Sequence, residues 1–341
     1  EIYMGDWSSD VCSSDLEMLH MAGMLRMHVR TLRRITTSDQ LAAVHATLVA
    51  VAPDPDSIAL LQYTSGSTAQ PKGVTLSHAN LLANISALGA AAKIESTDVF
   101  VSWLPLYHDM GLIGAWLSML YFGLPLVIMS PLSFLTRPAR WLQAIHRNGG
   151  TLSAAPNFAY ELCLKRITDK ELLGVSLASW RLALNGAEAV MPATITRFQE
   201  RFARWGFRPT ALTPVYGLAE SSLGLTFPPL ERGPLIDVIE REPFMRTSTA
   251  IPVSTDATNP LRFVSCGVPL SRHRVRIVDE DGRELDERRE GRLEFQGPSA
   301  TRGYFRNPQA NERLMRDGWL ESGDRAYIYM EIGRASCRER V

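Results

Sequence analysis

The chain has 341 residues, 45% of them hydrophobic, which is enough for about two domains with their own cores. Its 36 basic and 36 acidic residues cancel to a formal net charge of +0, which argues against nucleic acid or an anionic membrane surface as a partner. The four cysteines have neither metal-ligand spacing nor a disulfide framework and no N-terminal signal pattern is present, so a cytoplasmic location is expected.

The first 16 residues, with Asp6-Trp7-Ser8-Ser9-Asp10 at their centre, and the last 11, from Glu331, lack an apolar periodicity that a fold could use. Both resemble the conceptual translation of short-read sequencing adapters, so 1–16 and 331–341 are set aside from the fold argument. Glu17–Arg34 carries Leu19, Met24, Leu25, Val29 and Leu32 among basic residues and predicts an amphipathic packing helix. Ile35–Val51 gives no clear pattern, and Ala52–Asp56 reads as a connecting loop.

Ile58–Leu61 then reads as a buried strand, followed by the polar run Tyr63-Thr64-Ser65-Gly66-Ser67-Thr68-Ala69-Gln70-Pro71-Lys72-Gly73. Such a run is a flexible turn or a loop whose N–H groups, hydroxyls and lysine surround an anion. It is not a Walker loop, because Lys72 precedes Gly73 and no hydroxyl follows the lysine. Ser77 is a candidate N-cap for a helix through Asn84, and Val99–Leu104 is another buried strand. Met110–Leu135 carries no charge and is long enough to raise a membrane span, but Gly123-Leu124-Pro125 breaks it into a helix-like half and a strand, Leu126–Met129.

Trp103–Gly111 contains His108, which alone reads as a structural histidine, and Pro131–Arg147 reads as a loop and helix. Phe158 and Tyr160, in Ala154–Tyr160, fit core aromatics equally well as a substrate wall. Leu182–Leu184 is a short strand ending in Asn185-Gly186-Ala187-Glu188, and Val215–Glu220 follows a second such region. There a glycine admits a flat base, a tyrosine face can stack on it, and Glu220 can hold Mg2+. Pro228–Pro260 reads as a surface loop. Beyond Arg262 the strands Val275–Val278 and Gly291–Phe295, with the Asp281-Gly282 turn, predict a small β subdomain, and Gly323-Asp324 alone is a common turn.

Taken in order, these runs resemble one family. Thr64–Gly73 closely resembles the T-S-G-S-T-x-x-P-K-G signature of the adenylate-forming superfamily, the acyl-CoA synthetases, luciferases and their relatives. Leu104–Gly111, Pro156–Tyr160, Tyr216–Glu220 with Ala219 in place of the commoner Thr, and Val264–Gly267 are similar to the fatty-acyl-AMP ligase branch. The resemblance implies an α/β fold: the large N-terminal domain of these enzymes, with layered α/β subdomains (17–227), a family-type insertion (228–261) and a small β-barrel-like subdomain (262–330). It also implies that the family's lysine-bearing C-terminal domain lies beyond the chain, so that the polypeptide as given does not complete the reaction.

The same resemblance implies ATP and Mg2+ as cofactors and the formation of acyl-AMP and pyrophosphate from a fatty acid. Thr64, Ser65, Gly66, Ser67, Thr68 and Lys72 would cradle the β- and γ-phosphates, and Glu220 would hold the metal. Asn185, Gly186, Ala187, Glu188, Tyr216 and Gly217 would meet the adenine, and Asp324 the ribose. Trp103, His108, Asn157 and Phe158 would border the acyl pocket, with His108 orienting the carboxylate and joining Lys72 and Glu220 as catalytic residues. The acyl group would pass to the phosphopantetheine thiol of an acyl carrier protein. The alternatives are coenzyme A as acceptor, a phosphate-transferring NTPase disfavoured by the Lys-Gly order, and a non-catalytic nucleotide-binding pseudoenzyme.

Overall fold

The computed structural model describes residues 52–64, 71–253 and 259–329, together with Ala43 and the backbone of 335–338. The helix expected over Glu17–Arg34 and the centre of the polar loop, Ser65–Gln70, lie outside the described residues.

The first strand, β1 (Ile58–Thr64), pairs antiparallel with β2 (Lys72–Ser77), and Thr64 stands opposite Lys72. The polar loop therefore joins the two arms of a hairpin, not a strand to a helix as its flanks suggest. A two-stranded ribbon covers one face only, so β1 is not the buried strand expected: Ile58 and Tyr63 are 51% and 60% exposed. Helix α1 (His78–Ala91) follows directly. Ser77 accepts the Asn80 N–H and Asn80 returns an acceptor to the Ser77 N–H, a reciprocal cap with asparagine in the usual glutamate position. The helix runs past Asn84, and its interior Gly89 is explained by packing: a Cβ there would lie 2.1 Å from the Phe122 ring.

A five-stranded parallel sheet forms the centre, in the order β4 (Leu126–Ile128), β3 (Phe100–Ser102), β5 (Leu152–Ala155), β6 (Leu182–Asn185), β7 (Leu212–Pro214). The uncharged stretch divides as expected into a π-helix, Met110–Leu117, running into α2 (Ser118–Phe122), then left-handed Gly123 and β4. Among the described residues no helix is long and apolar enough to cross a membrane. Pro131–Arg147 forms two helices, α3 (Pro131–Thr136) and α4 (Ala139–Arg147), separated at Arg137-Pro138. With α5 (Asn157–Arg166) and α6 (Pro192–Phe202) they enclose an aromatic core in which Trp141 packs edge-on against Tyr160 and Trp180, and Tyr160 against Phe198. Strand order reverses between β3 and β5, so a crevice opens outside the carboxyl ends of the strands, where open α/β sheets bind ligands.

The rest of the chain is antiparallel. A three-stranded sheet holds β8 (Tyr216–Gly217), β9 (Gly224–Phe227) and β12 (Val268–Pro269). Pro228–Pro260 is more than a surface loop: it holds β10 (Ile236–Ile239), paired with β11 (Leu261–Val264), and α7 (Arg241–Thr247), with Phe244 buried against Tyr327. Its prolines and polar residues mask one apolar alternation, Ile236-Asp237-Val238-Ile239.

The expected β subdomain is the sheet β13 (Arg274–Val278), β14 (Gly291–Gln296), β16 (Trp319–Ile328), β15 (Met315–Arg316), with α8 (Pro308–Leu314) leading into β15. Asp317-Gly318, both at positive φ, makes the tight β15–β16 turn. Gly323-Asp324 is not a turn: it lies inside β16 where the register with β14 slips, with Gly323 left-handed. The tail set aside above contributes β17 (Ala335–Arg338), paired with Arg325–Ile328, since an open sheet edge pairs through backbone groups whatever the side chains. Residues 303–305 return to β2, where Thr75 N–H donates to Gly303 O (3.0 Å) and Phe305 N–H to Gly73 O (2.7 Å).

Candidate active site

Between the parallel sheet, α1, the β8–β9 hairpin and α8 lies a cavity of about 1020 Å³. Its polar end collects Thr64, Lys72, His108, Ala187, Tyr216, Gly217 and Glu220, which stand in four separate runs of the sequence. Its apolar end is lined by Leu88 and Gly89 of α1, Ala92 just after it, Phe122 of α2, and Leu152 and Leu182 at the starts of β5 and β6. Leu152 and Ala154 share a face of β5, as do Leu182 and Leu184 of β6, and all four line the cavity. The chamber thus runs back along the sheet from the carboxyl-end crevice by at least one two-residue repeat, about 7 Å.

Each polar group arrives on a different element. Lys72 opens β2, and its Nζ sits 5.0 Å from the ring centroid of Tyr304. Glu220 sits in the single 3₁₀ turn Ala219–Ser221 between β8 and β9. Its Oε1 accepts the Tyr304 hydroxyl at 2.7 Å, its carbonyl accepts the Thr301 N–H at 2.7 Å, and its Oε2 accepts no hydrogen bond among the described residues.

Below that turn lies a buried polar network. Asn84 Nδ2, with two hydrogens to donate, lies within hydrogen-bond distance of Ser221 O (3.0 Å), Gly224 O (2.8 Å) and Ser299 Oγ (3.0 Å), and Oδ1 accepts the Gly224 N–H (3.0 Å). Ser299 Oγ also lies 2.6 Å from Nε2 of His273, whose Nδ1 is 2.9 Å from Ser271 O. One α-helical asparagine, with no exposed surface, thereby fixes the C-terminal side of the glutamate turn, from Ser221 to Gly224.

Tyr216 donates its hydroxyl to Asp324 Oδ2 at 2.6 Å. Burial raises the Asp324 carboxyl above the usual carboxylate range, and the Tyr216 hydrogen bond partly opposes that. Asp324 is not among the cavity-lining residues; its neighbours Ser322 and Gly323 are. Gly217 is required by the hairpin itself, since a Cβ would sit 1.8 Å from Leu223 O. That close approach, and not only admission of a flat base, accounts for the glycine.

His108 follows β3, and its Nδ1 is 2.8 Å from Asp109 Oδ1. The hydrogen bond to Asp109 holds the imidazolium above the ordinary histidine value, against the opposing effect of burial. Gly111 packs so tightly under this loop that a Cβ would meet Pro105 O at 2.3 Å.

The other expected residues take structural positions. Trp103 does not line the cavity: it is 3% exposed and stacks on Phe134 at 4.0 Å. Asn157 and Asn185 are buried together, with Asn157 Oδ1 accepting from Asn185 Nδ2 (3.3 Å) and the Met191 N–H (3.1 Å). Glu188 accepts the Phe158 N–H at 2.5 Å and so caps α5, while the Phe158 ring is 44% exposed and outside the cavity. Gly186, whose Cβ would meet Val215 at 2.9 Å, packs β6 against the loop after β7. Ser65, Gly66, Ser67 and Thr68 lie outside the described residues.

Among the described residues no group of three His, Cys, Asp or Glu side chains is assembled around a metal position. That suits Mg2+, which uses one or two carboxylates together with water and substrate phosphates, better than a metal needing a protein cage. Glu220, with one oxygen oriented by Tyr304 and the other without a hydrogen bond among the described residues, fits such a ligand.

The sequence profile described as AMP-binding enzyme matches residues 20–305. The chain is 39% identical over 262 residues to TtuA, a medium-chain-fatty-acid–[acyl-carrier-protein] ligase of Teredinibacter turnerae, covering 76% of this chain and 40% of TtuA. It superposes with a TM-score of 0.89 on a structure from studies of fatty acyl-adenylate ligases of E. coli and L. pneumophila, at 33% identity, over 95% of this chain and 59% of that one. A fatty acyl-adenylate ligase of L. pneumophila, in complex with acyl adenylate and pyrophosphate, matches with a TM-score of 0.80 and 34% identity, over 85% of this chain and 52% of that one. The chain therefore spans between 40% and 59% of the length of these three relatives.

Proposed function

We propose that this chain, which belongs to the AMP-binding enzyme family, is the nucleotide- and acyl-binding part of a ligase that activates a fatty acid as its acyl-adenylate. The observation that carries the reading is the single cavity in which Lys72, Glu220 and Tyr216 face an apolar chamber lined by α1, β5 and β6. In the reaction the fatty carboxylate oxygen attacks the α-phosphorus of ATP. A P–O bond forms, the bond to the β-phosphate oxygen breaks, and pyrophosphate leaves. Both reactants are anions, so the site must offset their repulsion and align them.

Lys72 and the hydroxyl loop around Thr64 would bind the β- and γ-phosphates. Tyr216, Gly217 and Ala187 would flank the adenine, and Asp324 would take the ribose hydroxyls. His108, whose proton affinity the hydrogen bond to Asp109 raises, would draw in the carboxylate at the mouth of the chamber. Mg2+ held by Glu220 would supply positive charge across the phosphates.

The acyl group would then pass to a carrier-protein thiol, as the similarity to TtuA supports. The test uses an enzyme carrying this chain together with the remaining length of its relatives. Fatty-acid-dependent pyrophosphate release, followed by acylation of a phosphopantetheinylated carrier in preference to coenzyme A, is expected. Coenzyme A as the better acceptor would reassign the second step, and ADP as product would remove the first.

A further inference from the structure

We infer that Tyr304 is a positioning residue that holds the Glu220 carboxylate and the Lys72 ammonium in fixed relation to each other, so that metal and triphosphate are met by a preset pair of groups. The inference rests on the reading of the site given above.

The hydroxyl of Tyr304 donates to Glu220 Oε1 at 2.7 Å, and the same ring lies 5.0 Å below Lys72 Nζ. The tyrosine is itself immobilised. It is 8% exposed; its N–H donates to Asn311 Oδ1 (2.6 Å) and its carbonyl accepts from Asn311 Nδ2 (3.2 Å). Val74 faces it across an isolated bridge, and the next residue, Phe305, donates its N–H to Gly73 O. Thr301, three residues earlier, holds the Glu220 carbonyl. A single backbone segment, 301–305, therefore grips the glutamate turn and the lysine strand at once.

Among the described residues Oε2 accepts no hydrogen bond, so bonding Oε1 leaves it as the open oxygen and selects one carboxylate rotamer before any cation arrives. Packing alone would require only an aromatic ring at this place. The hydroxyl on the carboxylate and the ring under the ammonium point to function.

The test is titration of a fluorescent ATP analogue into the purified 341-residue chain, with and without Mg2+, for wild type, Tyr304→Phe and Tyr304→Leu. Tyr304→Phe keeps the ring and should leave metal-free affinity unchanged while raising the half-saturating Mg2+ concentration about tenfold, as expected for loss of a hydrogen bond to a charged group. Tyr304→Leu should show the same Mg2+ shift and lose a further factor of about three in metal-free affinity, from the lost cation–π contact. An unchanged Mg2+ dependence in Tyr304→Phe overturns the inference. So do equal losses of metal-free affinity in both variants, the pattern of a residue that only packs. A wild-type chain that binds no ATP analogue removes the nucleotide reading itself and the inference with it.

Discussion

Replacing Asn84 by Ala is expected to destabilise the fold by about 2–4 kcal/mol, although the residue lies outside the proposed catalytic groups. Its side chain is fully buried, its two N–H groups are shared among Ser221 O, Gly224 O and Ser299 Oγ, and its Oδ1 accepts the Gly224 N–H. Alanine would strand the Gly224 N–H, while Ser221 O keeps the Ser299 hydroxyl and Gly224 O keeps the Ser221 hydroxyl as donors. A buried polar group left without a partner costs about 1–3 kcal/mol, and the two hydrogen bonds that the amide N–H groups donate add about 0.5 kcal/mol each, since their acceptors keep other donors, which gives the stated figure. The assay is urea unfolding followed by tryptophan fluorescence, and the midpoint should fall at constant slope. Asn84→Asp should do no better, because it removes both donors and buries a charge. A loss below about 1 kcal/mol would refute the claim that this asparagine carries the glutamate turn.

Gly217→Ala should abolish binding of an ATP analogue while leaving the parallel sheet folded, since its methyl would collide with the Leu223 carbonyl at 1.8 Å; calorimetry and far-UV circular dichroism check both halves. Asp109→Asn should lower the His108 titration midpoint seen by NMR, because the hydrogen bond to Asp109 is what raises it. Any contribution of imidazolium to carboxylate binding, present at low pH and lost as pH rises through the His108 midpoint, should then vanish at lower pH. Burial would raise the Asp98 carboxyl, but its bonds to Arg181, the Glu95 N–H and Thr151 outweigh that and hold it low. Its stabilisation should therefore be full above the ordinary carboxylate value of about 3.9 and fade as pH falls through the lowered one. Asp98→Asn should flatten that acid limb in unfolding titrations.

Elements with a local cause were legible in the sequence. Ser77 announces its helix because the cap is made within three residues, and Val99–Leu104 announces a central strand because both faces are covered. Tyr216 and Glu220 stand in a recognisable run and meet the same cavity. Tyr304 was missed because its bond to Glu220 spans 84 residues and Gly-Tyr-Phe carries no pattern; only its place in the return strand to β2 reveals it. Asn84 was missed because an asparagine on an apolar helix face reads as an interruption. Conversely, Glu188 sat in a recognisable run yet caps a helix, and Trp103 sat in another yet fills the core. In both, the run marks the neighbourhood of the site, while the side-chain direction is decided by packing. The strand Ile236–Ile239 was hidden because only a partner 25 residues away, β11, makes it one.

The central claim is that one cavity holds an adenylate and an aliphatic chain together. It is tested most directly by calorimetry of the chain with a non-hydrolysable acyl-sulfamoyl adenosine series of increasing acyl length. Each buried methylene contributes ~0.8 kcal/mol, or a factor of about 4, so going from acetyl to octanoyl should tighten binding more than about 100-fold before it levels off. Equal affinity across the series, with adenosine alone accounting for all of it, would contradict the account.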